Sequence, residues 1–76
     1  MANRHVWLRV KTKELAKKVA SFLIEDDWHY NLANVSGHGY EWTAKLIANS
    51  YQLAIALRSA GFSVHMSGNN IMVTGG

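Results

Sequence analysis

The sequence predicts an α+β sandwich in which two helices cover one face of a sheet, and two observations carry this prediction. Residues 5–11 alternate apolar and polar side chains, as a half-buried strand does, and an amphipathic helix follows directly. The pattern returns at residues 43–54, where TAKLIANSYQLA aligns without a gap with HVWLRVKTKELA and Leu8 meets Leu46. A strand–helix unit used twice is therefore the organising feature of the chain.

The first unit consists of strand one, residues 5–11, and a helix that runs to about Glu25. Thr12 is the predicted N-cap because its hydroxyl can accept hydrogen bonds from the first free amides. Glu14 is favourable at the positive end of the helix dipole, whereas the acidic run at residues 25–27 is unfavourable at the negative end. This run therefore predicts the end of the helix. The predicted apolar stripe comprises Leu15, Ala16, Val19, Phe22 and Leu23, which leaves Ile24 partly exposed.

A hairpin is predicted next. Strand two covers residues 28–35, the glycine-containing turn covers residues 36–39, and strand three covers residues 40–48. Both strands alternate in polarity, with Trp42 among the inward residues of strand three. The alternative is a single long helix from Thr43, which would leave only a stub of strand three.

The second helix is capped by Asn49 or Ser50 and runs to about Ala60, before a glycine that suits a helix exit. Leu53, Leu57 and Ala60 form its predicted buried stripe. Strand four covers residues 62–67, and a Ser-Gly-Asn-Asn turn leads to a short last strand at residues 71–74 that forms a hairpin with it.

This order is βαββαβ with one extra terminal strand, in a single domain that spans residues 1–76. Strand–helix–strand halves favour right-handed crossovers with both helices on the same side. We therefore expect a ferredoxin-like sandwich, with two helices on one face of an antiparallel sheet. In the usual form of that fold, strand one lies between strands three and four.

The composition excludes several kinds of site and indicates the character of a partner. The chain lacks cysteine, which excludes disulfides and thiolate metal sites and favours a reducing compartment. It has no apolar run long enough for a membrane span and no secretory signal, so we expect a cytoplasmic location. The net charge is +3, and six of the eight Lys and Arg residues lie before position 19, a pattern that can steer an anionic partner.

The face of the sheet opposite the helices is here called the open face. Its predicted residues are His5, Trp7, Arg9, Lys11, His29, Asn31, Glu41, Thr43, Lys45, Ser63, His65 and Ser67. A central aromatic residue among cations can bind single strands by stacking and phosphate attraction. RNA-recognition-motif domains have a similar layout, although TAKLIANS in strand three lacks their aromatic motif. The candidates for a nucleic-acid or partner face are His5, Trp7, Arg9, Lys11, Lys45 and His65.

The outer side of the helices offers a second surface. Tyr51, Ile55 and Arg58 on helix two and Ile24 on helix one are candidates for a protein interface, since exposed Tyr and Arg often anchor such contacts. Neither VSGHG nor SGNN has the spacing of a phosphate loop, and no histidine pair has the spacing of a metal site. We therefore expect no enzymatic activity, cofactor or metal.

These observations predict a small non-enzymatic binding protein that regulates or inhibits a protein or nucleoprotein partner. In size and character it is similar to inhibitors encoded by phages and other mobile elements, such as anti-CRISPRs, which is an analogy rather than a resemblance of residues. Two alternatives stay open: a nucleic-acid-binding module that uses the open face, and a subunit of a structural homodimer.

Overall fold

The computed structural model describes residues 4–32 and 42–76. The elements in these residues are β1 (Arg4–Val10), α1 (Lys13–Glu25), β2 (Tyr30–Leu32), β3 (Trp42–Ala48), α2 (Ser50–Ser59), β4 (Ser63–Ser67) and β5 (Asn70–Gly75). The predicted turn at residues 36–39, the end of strand two and the start of strand three lie outside the described residues.

The described strands form one mixed sheet in the order β2-β3-β1-β5-β4. β1 pairs antiparallel with β3 from Arg4 opposite Ala48 to Val10 opposite Trp42. Residues 43–48 are therefore strand, and the alternative of one long helix from Thr43 is wrong. β5 pairs antiparallel with β4, which confirms the predicted terminal hairpin, and parallel with β1.

The position of β5 corrects the predicted fold in two respects. The α+β class is confirmed, but the sheet is mixed rather than antiparallel, and β5 separates β1 from β4. The physical reason lies in the two strands of the terminal hairpin. Ile71 and Val73 of β5 are fully buried, whereas Val64 and Met66 of β4 are only half-buried. The β-branched side chains of Ile71 and Val73 suit a strand that is paired on both sides and buried, as β5 is.

One hydrophobic core lies between the helices and the sheet. Its buried members are Val6, Leu8, Val10, Leu15, Ala16, Val19, Leu23, Ala44, Leu46, Ala48, Leu53, Ala54, Leu57, Ile71 and Val73. Both helices contribute to this cluster, so both cover the same face of the sheet, and the opposite face is the open face. In α2 the buried stripe includes Ala54 rather than the predicted Ala60, which is exposed because it forms the C-cap.

Side chains cap both helices at their N-termini. The Thr12 hydroxyl accepts a hydrogen bond from the Leu15 amide at 3.2 Å, as predicted. The Asn49 carboxamide oxygen accepts from the amides of Tyr51 and Gln52 at 3.0 and 3.2 Å, which settles the predicted choice between two caps. Each cap satisfies donors that the first helical turn leaves without partners.

Both helices end in the same backbone motif. After α1, Asp27 has a φ of 61° and the Trp28 amide donates to the Leu23 carbonyl at 2.8 Å. After α2, Gly61 has a φ of 99° and Phe62 makes the equivalent bond at 3.1 Å. This is a Schellman motif. In α1 this motif includes Trp28, which was predicted to start strand two. β2 therefore starts two residues later than predicted, at Tyr30.

Of the helices described, neither has the length and apolar character needed to cross a membrane.

Candidate functional site

Trp7 lies at the centre of the open face. β1 is the middle strand of the sheet, and Trp7 is the middle residue of β1. Lys45 on β3 and Asn70 on β5 flank it on the two sides. The indole is half-buried, and the Lys45 Nζ lies 5.6 Å from its ring centroid, in a cation–π contact. The structure thus brings two of the predicted site residues into direct contact.

Arg9 lies two residues further along the same strand and the same face. It sits between Thr43 on β3 and Met72 on β5, and His65 on β4 lies beyond Met72. The Arg9 Nε is buried, and within the described part of the chain no acceptor reaches it. A buried donor without an acceptor costs about 1–3 kcal/mol. Because this nitrogen is shielded from solvent, a ligand could supply its acceptor only if the Arg9 side chain moves.

A concave site, here called the histidine cleft, opens at the other end of this row of residues. It has a volume of about 500 Å³ and is lined by His5, His29, Tyr30, Asn31, Lys45 and Ile47. Lys45 belongs both to this cleft and to the contact with Trp7. Strand pairing explains the grouping, because Asn31 is opposite Lys45 and His5 is opposite Ile47.

The described carboxylates belong to α1 and its C-terminal end rather than to the sheet. The acidic residues that the structure describes are Glu14 and Glu25 on α1 and Asp26 and Asp27 at its C-terminal end. The fifth acid of the chain, Glu41, lies outside the described residues. The described part of the open face therefore carries cationic, imidazole, amide and apolar groups without a carboxylate, which favours an anionic ligand.

The other predicted residues of the open face lie at its margins. Lys11 follows the last residue of β1, and its amide donates to the Val73 carbonyl at 3.2 Å. His65 is on β4, so β5 lies between it and the strand that carries His5. The structure therefore brings together His5 and His29 but not all three predicted histidines.

The predicted helix surface is exposed in the structure. The exposed fractions are 63% for Tyr51, 54% for Ile55 and 68% for Ile24. Arg58 is also exposed, and its Nη2 donates a hydrogen bond to the Val64 carbonyl of β4 at 3.3 Å. Tyr51 and Ile55 are one turn apart on α2, whereas Ile24 belongs to α1.

Sequence reasoning did not assign Ile47, Asn70 and Met72 to the site. Ile47 is 67% exposed on the open face, and its alternation with Leu46 could have identified it. Asn70 and Met72 alternate with buried residues of β5 in the same way. Their place beside Trp7 and Arg9 depends on the strand order, for which the local sequence carries no signal.

Among residues 4–32 and 42–76, no three His, Asp or Glu side chains are grouped so that they could hold a metal ion. Comparisons with protein-family models, with curated proteins and with solved structures found no match. A function for the chain therefore has to be inferred from the open face itself.

Proposed function

We propose that this chain is a small binding protein whose open face binds single-stranded nucleic acid, either free or within a nucleoprotein that it regulates. The observation that carries the proposal is the group formed by Trp7, Lys45 and Arg9 at the centre of a face with no described carboxylate. An aromatic platform provides stacking, and the two cations provide attraction to phosphate. This combination suits the unpaired bases and charged backbone of a single strand.

The Lys45 ammonium that covers Trp7 does not block a base. A cation–π contact at an exposed site is worth about 0.5–1 kcal/mol. Stacking of a nucleic-acid base on an aromatic side chain is worth about 1–3 kcal/mol. A base can therefore displace Lys45 from the ring, and the freed ammonium can then pair with the phosphate next to that base.

Arg9 strengthens the case for a phosphate ligand. The residue is only half-buried on the open face, and phosphate oxygens accept readily from a guanidinium. Arg9 and Trp7 are two positions apart on one strand, which is about 6–7 Å along the chain. A strand whose base stacks on Trp7 therefore has a cation one side-chain repeat away along β1, at a place where its backbone phosphates can pass.

Fluorescence anisotropy with labelled single strands of about 12 nucleotides tests the proposal, as both DNA and RNA. We expect binding at about 50 mM salt that weakens as salt increases, with a slope that reports the number of phosphates neutralised. Trp7→Ala should weaken binding by about 5- to 150-fold, which is the loss of one stacked base. Arg9→Gln should reduce the salt slope by about 0.7.

Lys17→Gln is the matched control for charge, because it removes one cation from the exposed face of α1 and leaves the open face intact. It should leave the salt slope unchanged. Trp7→Phe keeps an aromatic platform and should retain most of the affinity. Absence of binding at low salt would contradict the proposal, and so would an equal decrease in salt slope for Arg9→Gln and Lys17→Gln.

A protein partner on α2 is the second candidate, and one observation favours it. Tyr51 and Ile55 are large, apolar and more than half exposed on adjacent turns of a helix. Exposed aromatic and aliphatic residues on one helix face are typical anchors of protein interfaces.

Sedimentation velocity of the chain alone, over a range of concentrations, separates the homodimer alternative from a different partner. If Tyr51 and Ile55 form a self-contact, the Tyr51→Glu/Ile55→Glu double variant should sediment as a monomer where the parent chain dimerises. A parent chain that is monomeric throughout removes the homodimer, and a pull-down with the double variant then tests for another protein.

A further inference from the structure

The histidine cleft is a concave site with a largely polar lining, and a base can stack on Trp7 without occupying this cleft. Its lining includes His5, His29, Asn31 and Lys45, and the Lys45 ammonium itself lies over the neighbouring Trp7 ring. Ile47, which is 67% exposed, contributes an apolar side. Among the residues that the structure describes, the lining thus joins nitrogen donors with one aliphatic surface and includes no carboxylate.

These donors favour an anion over a metal ion. Two imidazoles could bind a cation, but the positive charge of Lys45, whose side chain also lines the cleft, would repel it. An oxyanion can accept hydrogen bonds from the imidazole N–H groups, the ammonium and the amide together. Phosphate presents several acceptor oxygens at once and suits this set of donors.

The size of the cleft indicates more than a bare phosphate. Pockets that bury small ligands usually have volumes of about 300–1,000 Å³, and the histidine cleft has about 500 Å³. It therefore has room for a phosphate together with the sugar or base attached to it. Ile47 offers apolar contact for that attached part.

We infer that the histidine cleft binds a nucleotide unit through its phosphate, next to the base that stacks on Trp7. The identity of this occupant rests on the proposed function, because a strand that stacks on Trp7 has its adjoining phosphate within reach of Lys45. Lys45 connects the two places, since its ammonium lies over the indole and its side chain lines the cleft.

Titration of the ¹⁵N-labelled full chain, followed by amide chemical shifts, tests this inference with three probes: a nucleoside 5′-monophosphate, the same nucleoside without phosphate, and inorganic phosphate. We expect the monophosphate to shift the amides of His5, His29 and Ile47. The unphosphorylated nucleoside should leave these amides unchanged, and inorganic phosphate should bind more weakly than the monophosphate.

The His5→Gln/His29→Gln double variant should weaken the binding of the monophosphate by about tenfold, which is the typical loss in affinity when a charge-assisted hydrogen bond is removed. His65→Gln is the matched control, because it changes a histidine on the far side of β5. It should bind the monophosphate as the parent chain does. Lys45 is unsuitable as the tested residue, since its loss would also alter the surroundings of Trp7.

A single-stranded oligonucleotide in the same titration separates this inference from the proposed function. If the oligonucleotide binds at Trp7 but leaves the cleft amides unmoved, the inference is overturned and the proposed function stands. If the monophosphate shifts the cleft while no oligonucleotide binds, the cleft is a nucleotide site and the proposed function is lost. Equal affinity for inorganic phosphate and the monophosphate would overturn the assignment of a nucleotide.

Discussion

The strand order makes a quantitative prediction about two valines that face each other across the β4–β5 hairpin. Val73 on β5 and Val64 on β4 are directly paired, but Val73 is fully buried and Val64 is half-buried. Val→Ala at either position removes two methyl groups, which are worth about 0.8 kcal/mol each when fully buried. The cavity left in a tight core adds to this loss.

For Val73→Ala we therefore expect a loss of about 2–3 kcal/mol in the free energy of unfolding. For Val64→Ala the transfer contribution is roughly halved and the surface can relax, so we expect about 1 kcal/mol. A domain of 76 residues typically has a total stability of about 4–11 kcal/mol. The difference between the two variants is thus large enough to measure.

Urea unfolding followed by tryptophan fluorescence provides both values, with unchanged slopes as the condition for comparing them. The two variants are matched in chemistry and differ only in which strand of the hairpin they change. If Val64→Ala costs as much as Val73→Ala or more, β5 does not hold the inner place beside β1. That result would refute the observed strand order and favour the ferredoxin-like order, in which strand four packs against strand one.

Three further predictions concern the helix ends and the sheet edge. Asp27→Gly should raise the free energy of unfolding by about 0.5–1 kcal/mol because Asp27 has a positive φ, whereas Asp26→Gly, at a φ of −92°, should lower it. Urea unfolding of both variants measures this contrast, and an increase in the free energy of unfolding for Asp26→Gly would contradict it. Thr12→Ala should cost about 1 kcal/mol while Thr12→Ser costs little, and an equal loss in both would exclude the capping role of the hydroxyl. Arg58→Ala should expose the Val64 carbonyl at the outer edge of β4 and cause self-association in sedimentation velocity; a variant that stays monomeric would show that Arg58 does not protect this edge.

The role of Arg58 follows from the hairpin register. The turn between β4 and β5 has two residues, Gly68 and Asn69, so Ser67 and Asn70 form a hydrogen-bonded pair. Hydrogen-bonded and non-hydrogen-bonded pairs alternate in an antiparallel ladder. The carbonyl of Val64 therefore faces away from β5. In the described structure, Arg58 covers this outer carbonyl with its guanidinium group, as expected of a device against edge-to-edge pairing.

Local physical signals allowed much of the fold to be predicted. Alternation identified β1 and β3, because a strand with one buried face must repeat its polarity every two residues. Hydroxyl and amide caps identified the starts of both helices, and a glycine marked the end of α2. The acidic run at residues 25–27 predicted the end of α1 at about Glu25, which the structure confirms, although Asp27 rather than glycine occupies the left-handed position.

The place of β5 could not be predicted, because it depends on competition between two strands for one position. Both strands of the hairpin alternate, and either could pair with β1. Ile71 and Val73 are fully buried and the inward residues of β4 are half-buried, but this difference results from the strand order and gives no signal of it in the sequence. A pattern of period two shows which side chains point inward but not which strand lies inside.

In the candidate site, too, local polarity could be predicted from the sequence, whereas features that depend on the arrangement of strands could not. Trp7, Arg9 and Lys45 could be assigned to the open face from polarity alone, and the structure places them there. The histidine cleft could not be foreseen as a cavity, because it forms where His29 and Asn31 from the β2 side meet His5 on β1. Such a site requires the register between three chain segments, which side-chain periodicity leaves open.

Lys45 gives the proposed site a physical means of coupling its two parts. Its ammonium can stay over the Trp7 ring or turn to a phosphate in the histidine cleft, but one group cannot satisfy both places at full strength. A base that stacks on Trp7 displaces the ammonium, and a phosphate in the cleft then stabilises it in its new position. Under the proposed function, each half of a nucleotide therefore lowers the free-energy cost of binding the other, so a strand that carries both binds better than the separate contacts imply.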